Sequence, residues 1–158
     1  MLKEKQPNKK RKLYHFSDLI KYICKEYFNW NGKKDSAGRS LLQQIGTDIV
    51  REKNPTFWVD YLVSIVSIFN EFWDYVIIPD TRFPNEISRF KEAGISTIHI
   101  RVNRGEDFYN GLTEEQNNHI SETSLNDVTP DIKIDNLGTL KDLENSIKET
   151  IGKVLTND

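Results

Sequence analysis

The sequence predicts an α/β protein built on a parallel sheet. Three observations carry this. Val76-Ile77-Ile78 is a short apolar, β-branched run that reads as a strand buried on both faces. It is followed by a segment from Pro84 to Glu92 with a proline opening and a glycine stop at Gly94, and then by a second β-branched, alternating run from Thr97 to Val102. Strand, helix and strand at this spacing form a βαβ unit, which implies parallel pairing with a right-handed crossover. Finally, the flanking segments carry apolar residues at helical spacing, as helices laid on a sheet do.

Taken in order, Leu13-Tyr14-His15-Phe16 reads as a short strand. Ser17 or Asp18 is placed to cap a helix running to about Tyr27, with Leu19, Ile20, Ile23, Cys24, Tyr27 and Phe28 on its apolar side. A polar loop from Trp30 to Asp35 leads to a second helix, about Ala37 to Lys53, capped by Ser36 and buried through Leu41, Leu42, Ile45, Ile49 and Val50. Gly46 inside it costs about 1 kcal/mol relative to alanine, so close packing or ligand approach is expected there. Asn54-Pro55 opens a third helix running to about Phe72, whose apolar side is Trp58, Tyr61, Leu62, Ile65, Phe69 and Phe72. After the βαβ unit, residues 103–129 form a long polar insertion in which Thr113-Glu114-Glu115-Gln116 resembles a helix start. A strand over Asp131–Asp135 and a turn at Asn136-Leu137-Gly138 follow. Thr139 caps a last helix with Leu140, Leu143, Ile147, Ile151, Val154 and Leu155 on one side.

The totals narrow the classes of function. A length of 158 residues fits one domain, read as 1–158, with room for a core. Lys and Arg number 22 against 24 Asp and Glu, so the chain has no strong field for nucleic acid or membrane. The basic stretch ending in Lys9-Lys10-Arg11-Lys12 has no interleaved aromatics, and a solvated end is favoured over a nucleic-acid arm. One cysteine, Cys24, excludes an internal disulfide and a cysteine-based zinc site. There is no run long enough to span a membrane and no secretory h-region, so a cytoplasmic protein is expected.

The chemistry concentrates at the end of the 75–79 strand. Asp80 sits at its carboxyl end and Arg82 two residues later, where ligands bind in open α/β sheets. The alternatives are a metal-bound phosphate held there, or a cap for the next helix and a surface ion pair.

Several stretches, read together, resemble the phage-type deoxynucleoside monophosphate kinases of the P-loop kinase group. They are Phe16 to Lys21, Gly38 to Asp48, Phe57-Trp58-Val59, Asp80-Thr81-Arg82-Phe83-Pro84-Asn85-Glu86, His119-Ile120-Ser121-Glu122, and Asn136 to Leu140. The resemblance covers about Lys12 to Lys153. It implies a three-layer α/β/α fold with a parallel sheet in the order 2-3-1-4-5, in which strands 2 to 5 fall near 12–15, 75–79, 97–102 and 131–135. One expected feature is absent. The sequence has no Gly-x-x-x-x-Gly-Lys loop, since Tyr27 and Ile147 stand five positions before the glycines of Gly32-Lys33 and Gly152-Lys153. The first, central strand and its phosphate loop are therefore expected to be missing, which leaves the inner edges of the neighbouring strands open unless another segment fills the gap or the fold has rearranged, and the chain is expected to be N-terminally truncated.

The resemblance also implies roles. Asp80 would hold Mg²⁺ through water, Arg82 would grip the acceptor phosphate, and Asn85 or Glu86 would orient that phosphate or the sugar. Arg39 and Arg51 would serve the same phosphate, Arg51 having the alternative of a helix C-terminal charge. Gln43, Gln44 and Trp58 would contact the base, with a core position the alternative for Trp58. Arg104, with Arg101 beside it, would supply a cation from the 103–129 lid. His119, Asn136 and Gly138 fall on the side of the donor, ATP. The implied reaction is phosphoryl transfer from ATP to a deoxynucleoside monophosphate, impaired here without the loop. The competing readings are a nucleotide-binding module and an interaction protein, as a homodimer or with a partner covering the open sheet edges.

Overall fold

A computed structural model describes residues 9–105 and 112–154. Met1 to Asn8, residues 106–111 of the lid-like insertion and Leu155 lie outside the described residues, as do the side chains of Ile151 and Val154. The chain divides into two compact units.

The larger unit takes in Lys10–Ser96 and Gly111–Val128. Strands β1 (Arg11–Leu13) and β2 (Tyr75–Ile77) pair in parallel, with Lys12 opposite Val76. Helix α1 spans Ser17–Phe28 and α2 spans Ser36–Gln43. A π-helical stretch, Gln44–Ile49, joins α2 to α3 (Val50–Lys53), so the long second helix predicted as continuous changes pitch midway. Helix α4 (Phe57–Ile68) ends earlier than predicted, and Asn70–Phe72 forms a 3₁₀ turn. Helix α5 (Asn85–Glu92) starts directly after Pro84. Two short helices, α6 (Glu114–Asn118) and α7 (Ile120–Thr123), complete the unit.

The core is Phe16, Trp58, Val59, Leu62, Val66 and Phe90, with Tyr14, Leu19, Ile20, Ile23, Val50, Val76 and Ile78 packed against it. Its spine is the 58-62-66 stripe of α4, spaced one helical turn apart. This corrects the predicted apolar side: Tyr61, Phe69 and Phe72 are exposed, and Val59 and Val66 are buried instead. The β2 strand is likewise not buried throughout, since Ile77 is exposed while Val76 and Ile78 face the core.

Gly46 resolves as close packing. A Cβ there would stand 3.0 Å from Ile20 Cδ1, and the Gly46 carbonyl accepts the Trp58 indole N–H at 2.7 Å. Trp58 is 2 % exposed, which places its ring in the core. The predicted cap of α2 moves by one residue. Asp35 accepts the Gly38 N–H at 2.9 Å, and Gly38 is needed because a Cβ would meet the Lys33 carbonyl at 2.1 Å.

The smaller unit holds Thr97–Asn110 and Thr129–Asp158, within the described residues. Strands β3 (Ile100–Asn103) and β4 (Ile132–Asp135) pair in parallel, and α8 (Leu140–Val154) packs on β4. The predicted cap is present: Thr139 Oγ1 accepts the Asp142 N–H at 3.3 Å, and Asp142 Oδ2 accepts Thr139 N and Oγ1 at 2.8 and 2.7 Å in return. Leu140 is exposed rather than buried. Among the described residues, β2 pairs with β1 and β3 with β4, so the two strands of the predicted βαβ unit are not neighbours in one ladder.

Truncating Trp58 to alanine removes both the core spine and the donor that meets the Gly46 carbonyl. Trp58→Ala is expected to destabilise the fold by about 3–5 kcal/mol, read from the shift in a urea unfolding midpoint.

Candidate functional site

The turn after β2 is built by two carboxylates that act at a distance in sequence. Asp80 Oδ1 and Oδ2 accept the backbone N–H groups of Phe16 and Ser17, each at 3.0 Å. Helix α1 has no cap from its own first residues, so Asp80 supplies one from the end of β2 and faces the positive end of the helix dipole. Asp80 thus ties α1 to the strand whatever else it binds.

Glu86 organises the rest of the turn. Its Oε2 accepts Arg82 N at 2.7 Å and Phe83 N at 3.1 Å, while Oε1 pairs with Arg51 Nη2. The Glu86 side chain is 2 % exposed and that of Arg51 10 %, so this is a buried ion pair. Arg51 also donates to the Pro55 carbonyl at 3.0 Å, approaches Asn85 Oδ1 at 3.5 Å and lies 3.8 Å from the Phe83 ring centroid. Burial pushes the Glu86 carboxyl above its usual range, against the Arg82 and Phe83 N–H groups and the Arg51 charge, which lower it. Burial also lowers the Arg51 guanidinium, with Glu86 opposing. In both partners desolvation outweighs attraction, as it often does in buried pairs.

Arg82 projects from this turn with its side chain 46 % exposed, and its Nη1 pairs with Glu122 of α7. Burial lowers its pKa most, the carboxylates of Asp80 and Glu86 raise it, and the Arg39 charge lowers it further. Arg39 of α2 is therefore an electrostatic neighbour of Arg82, and its own Nε donates to the Lys34 carbonyl at 3.1 Å.

Residues 113–123 pack against α2 and the π-helical stretch. The capping box read from Thr113 to Gln116 is present. Gln116, buried at 4 % exposure, uses its amide to reach the Ser36 carbonyl and Ser40 Oγ, each at 3.3 Å. Gln43 Nε2 reaches the Gln116 carbonyl at 3.5 Å. His119 caps α7: its Nδ1 accepts Ser121 N at 3.2 Å, which leaves Nε2 to donate to Asp48 Oδ1 at 3.1 Å. The His-x-Ser-Glu motif is thereby accounted for, with His119 and Ser121 building the cap and Glu122 reaching Arg82.

The larger unit thus gathers Arg39, Gln43, Arg51, Asp80, Arg82, Asn85, Glu86 and His119. Gln44 is exposed on the π-helical stretch, and Trp58 is withdrawn into the core. Arg101, Arg104, Asn136 and Gly138 belong to the smaller unit. Arg101 lies opposite Lys133 in the β3–β4 register, and Arg104 follows β3. Asn136 N donates to the Asn103 carbonyl at 2.7 Å, and a Cβ on Gly138 would meet Asp142 Oδ2 at 2.7 Å. Sequence reasoning gave no role to Asp48, Gln116 or Glu122. The capping box pointed to the Gln116 segment, but nothing local marks its partners.

The parallel strand β2 thus ends in an acid-arginine turn, with Arg39 an electrostatic neighbour of Arg82. The sequence matches the deoxynucleotide monophosphate kinase family over residues 2–147, and the chain belongs to that family. It is similar to the deoxynucleotide monophosphate kinase of Enterobacteria phage T4, with 34% identity over 119 residues, 74% of this chain and 46% of that protein. It is also similar to the deoxynucleotide monophosphate kinase of Escherichia phage RB69, with 29% identity over 115 residues, 72% of this chain and 44% of that protein. The chain spans less than half the length of these relatives. Their family sits well with the mixed α/β architecture and its short parallel strand pairs. No helix among the described residues is long and apolar enough to cross a membrane.

Arg51→Ala leaves the Glu86 carboxylate buried without its counter-ion and is expected to cost about 3–5 kcal/mol near neutral pH. The pH dependence has a definite sign. With its pKa raised in the fold, Glu86 binds more proton in the native than in the unfolded chain above about pH 4, so its contribution to stability falls as pH rises through that window. Urea titrations from acid to neutral pH are expected to show this slope in the wild type and lose it in Glu86→Gln.

Proposed function

We propose that the larger unit is an acceptor site for a deoxynucleoside monophosphate, in a chain that works within phosphoryl transfer from ATP. The observation that carries this reading is the Arg82 guanidinium, half-exposed at the strand-end turn and subject to the like charge of Arg39. Two guanidinium groups near each other suit an anionic ligand, and a phosphate takes planar guanidinium groups in bidentate fashion. Asp80 stands beside them. Among the described residues no three His, Cys, Asp or Glu side chains converge as a metal cluster, so a magnesium ion would rest on Asp80 through water and on ligand phosphates. Both Asp80 oxygens already accept an N–H, and each keeps a lone pair for such a water. When bound, the ion would neutralise charge on the phosphates.

In this reading Arg82 anchors the phosphate, Arg39 supports it, and Gln43 and Gln44 lie toward the base. Arg51, Asn85 and Glu86 keep the anchoring turn in shape. Within the smaller unit, Arg104, Arg101, Asn136 and Gly138 remain proposed donor-side residues, as does His119 within the larger unit. Catalysis by the 158-residue chain on its own is proposed to be weak, because its sequence contains no Gly-x-x-x-x-Gly-Lys loop to cradle the donor phosphates. The alternative, a nucleotide-binding module without transfer, shares the acceptor site and differs only in turnover.

Calorimetry with dGMP, dTMP and dCMP tests the site. Arg82→Ala is expected to weaken monophosphate binding by at least about tenfold while leaving the matching deoxynucleosides unaffected. Equal binding by wild type and variant, or no binding at millimolar ligand, would reject the acceptor site. A coupled assay with ATP and these monophosphates is expected to show little turnover, and rapid turnover by the same chain would reject the impairment.

A further inference from the structure

The charges around Arg82 already balance. Arg39, Arg51 and Arg82 face Asp80, Glu86 and Glu122. A phosphate monoester brings about two negative charges at neutral pH, so its arrival leaves an excess unless a cation joins or a carboxylate withdraws. The three carboxylates are not equally free to do so. Glu86 is buried and accepts two backbone N–H groups besides Arg51. Asp80 holds the first turn of α1 through both oxygens. Glu122 has a half-buried side chain on a four-residue helix, and Arg82 is its partner.

We infer that Glu122 is an internal substitute for the ligand phosphate: it occupies Arg82 when the site is empty and is displaced when a phosphate monoester binds. The inference rests on the acceptor-site reading and adds the regulation of that site. Exchange at Arg82 removes one of the ties that hold residues 113–123, which then stay attached through Gln116 to Ser36 and Ser40 and through His119 to Asp48. The segment is thus loosened at its α7 end and kept at its α6 end. Binding at Arg82 and the order of α7 become coupled, since each uses the same guanidinium.

The test uses the full chain, with dGMP and deoxyguanosine as probes. Glu122→Gln keeps the shape and removes the competing charge. It is expected to tighten dGMP binding by about five- to tenfold and to leave deoxyguanosine unchanged. In the wild type, dGMP is expected to speed amide exchange across Ile120–Thr123 while Glu114–Asn118 stays protected. Unchanged or weaker dGMP binding by Glu122→Gln, or slower exchange at Ile120–Thr123 on adding dGMP, would overturn the inference. The exchange measurement needs no variant, so it decides even where Glu122→Gln does not fold. Arg82→Ala separates the two ideas: binding as in wild type ends the acceptor site itself, whereas weakened binding together with an unresponsive Glu122→Gln ends only the displacement.

Discussion

The buried pair between Glu86 and Arg51 is the constraint on which the candidate site depends. One carboxylate fixes two backbone N–H groups of the turn and one guanidinium from another helix. Its desolvation cost is large, and the three donors that meet the carboxylate offset part of it. These bonds constrain the backbone from which the side chain of Arg82 projects. A surface arginine normally loses entropy when it is held by a ligand. Here part of that ordering is done by the fold before any ligand arrives. Asp80 adds a second fixed point, joining the strand end to the first turn of α1.

The sequence made the importance of the 80–86 stretch legible, because an acid and an arginine after a β-branched run have a positional meaning that needs no partner to be seen. The same holds for the Thr113 and Thr139 caps, which are made within four residues. The cap of α1 was not legible. It comes from Asp80, more than sixty residues away in the chain, while local pattern offered Ser17 or Asp18. Arg51 is a similar case. Its position near a helix C-terminus fits a dipole charge, and only the packing of α5 beside it makes it a buried partner of Glu86.

Burial was read less well than chemistry. Periodicity identified α4 as apolar on a broad side, but apolar residues on most of the circumference of a twelve-residue helix leave the direction of burial open. Contact with Phe16 and Phe90 selected the stripe through Trp58, Leu62 and Val66 and left Tyr61 and Phe69 outside. The parallel pairings of β1 with β2 and of β3 with β4 agree with the order implied by the family resemblance, in which the strand near 75–79 neighbours the one near 12–15. The simpler expectation, that consecutive strands of a βαβ unit pair directly, has no ladder to match it among the described residues.

The change of pitch at Gln44–Ile49 links sequence to site most closely. In a regular α-helix, Arg51 would lie about 120° around the axis from Arg39, too far for both to address one turn. A π-helical turn takes in about one extra residue, which rotates the next turn of helix back toward the starting side. Gly46 and Trp58 meet within this widened stretch. The glycine lets Ile20 approach, and its carbonyl is met by the indole N–H. Arg51 of this segment reaches Glu86 and Phe83, while Arg39 is an electrostatic neighbour of Arg82. The glycine that looked like a weak point in the helix sits in the stretch that joins its two arginines, held by close packing and one indole hydrogen bond.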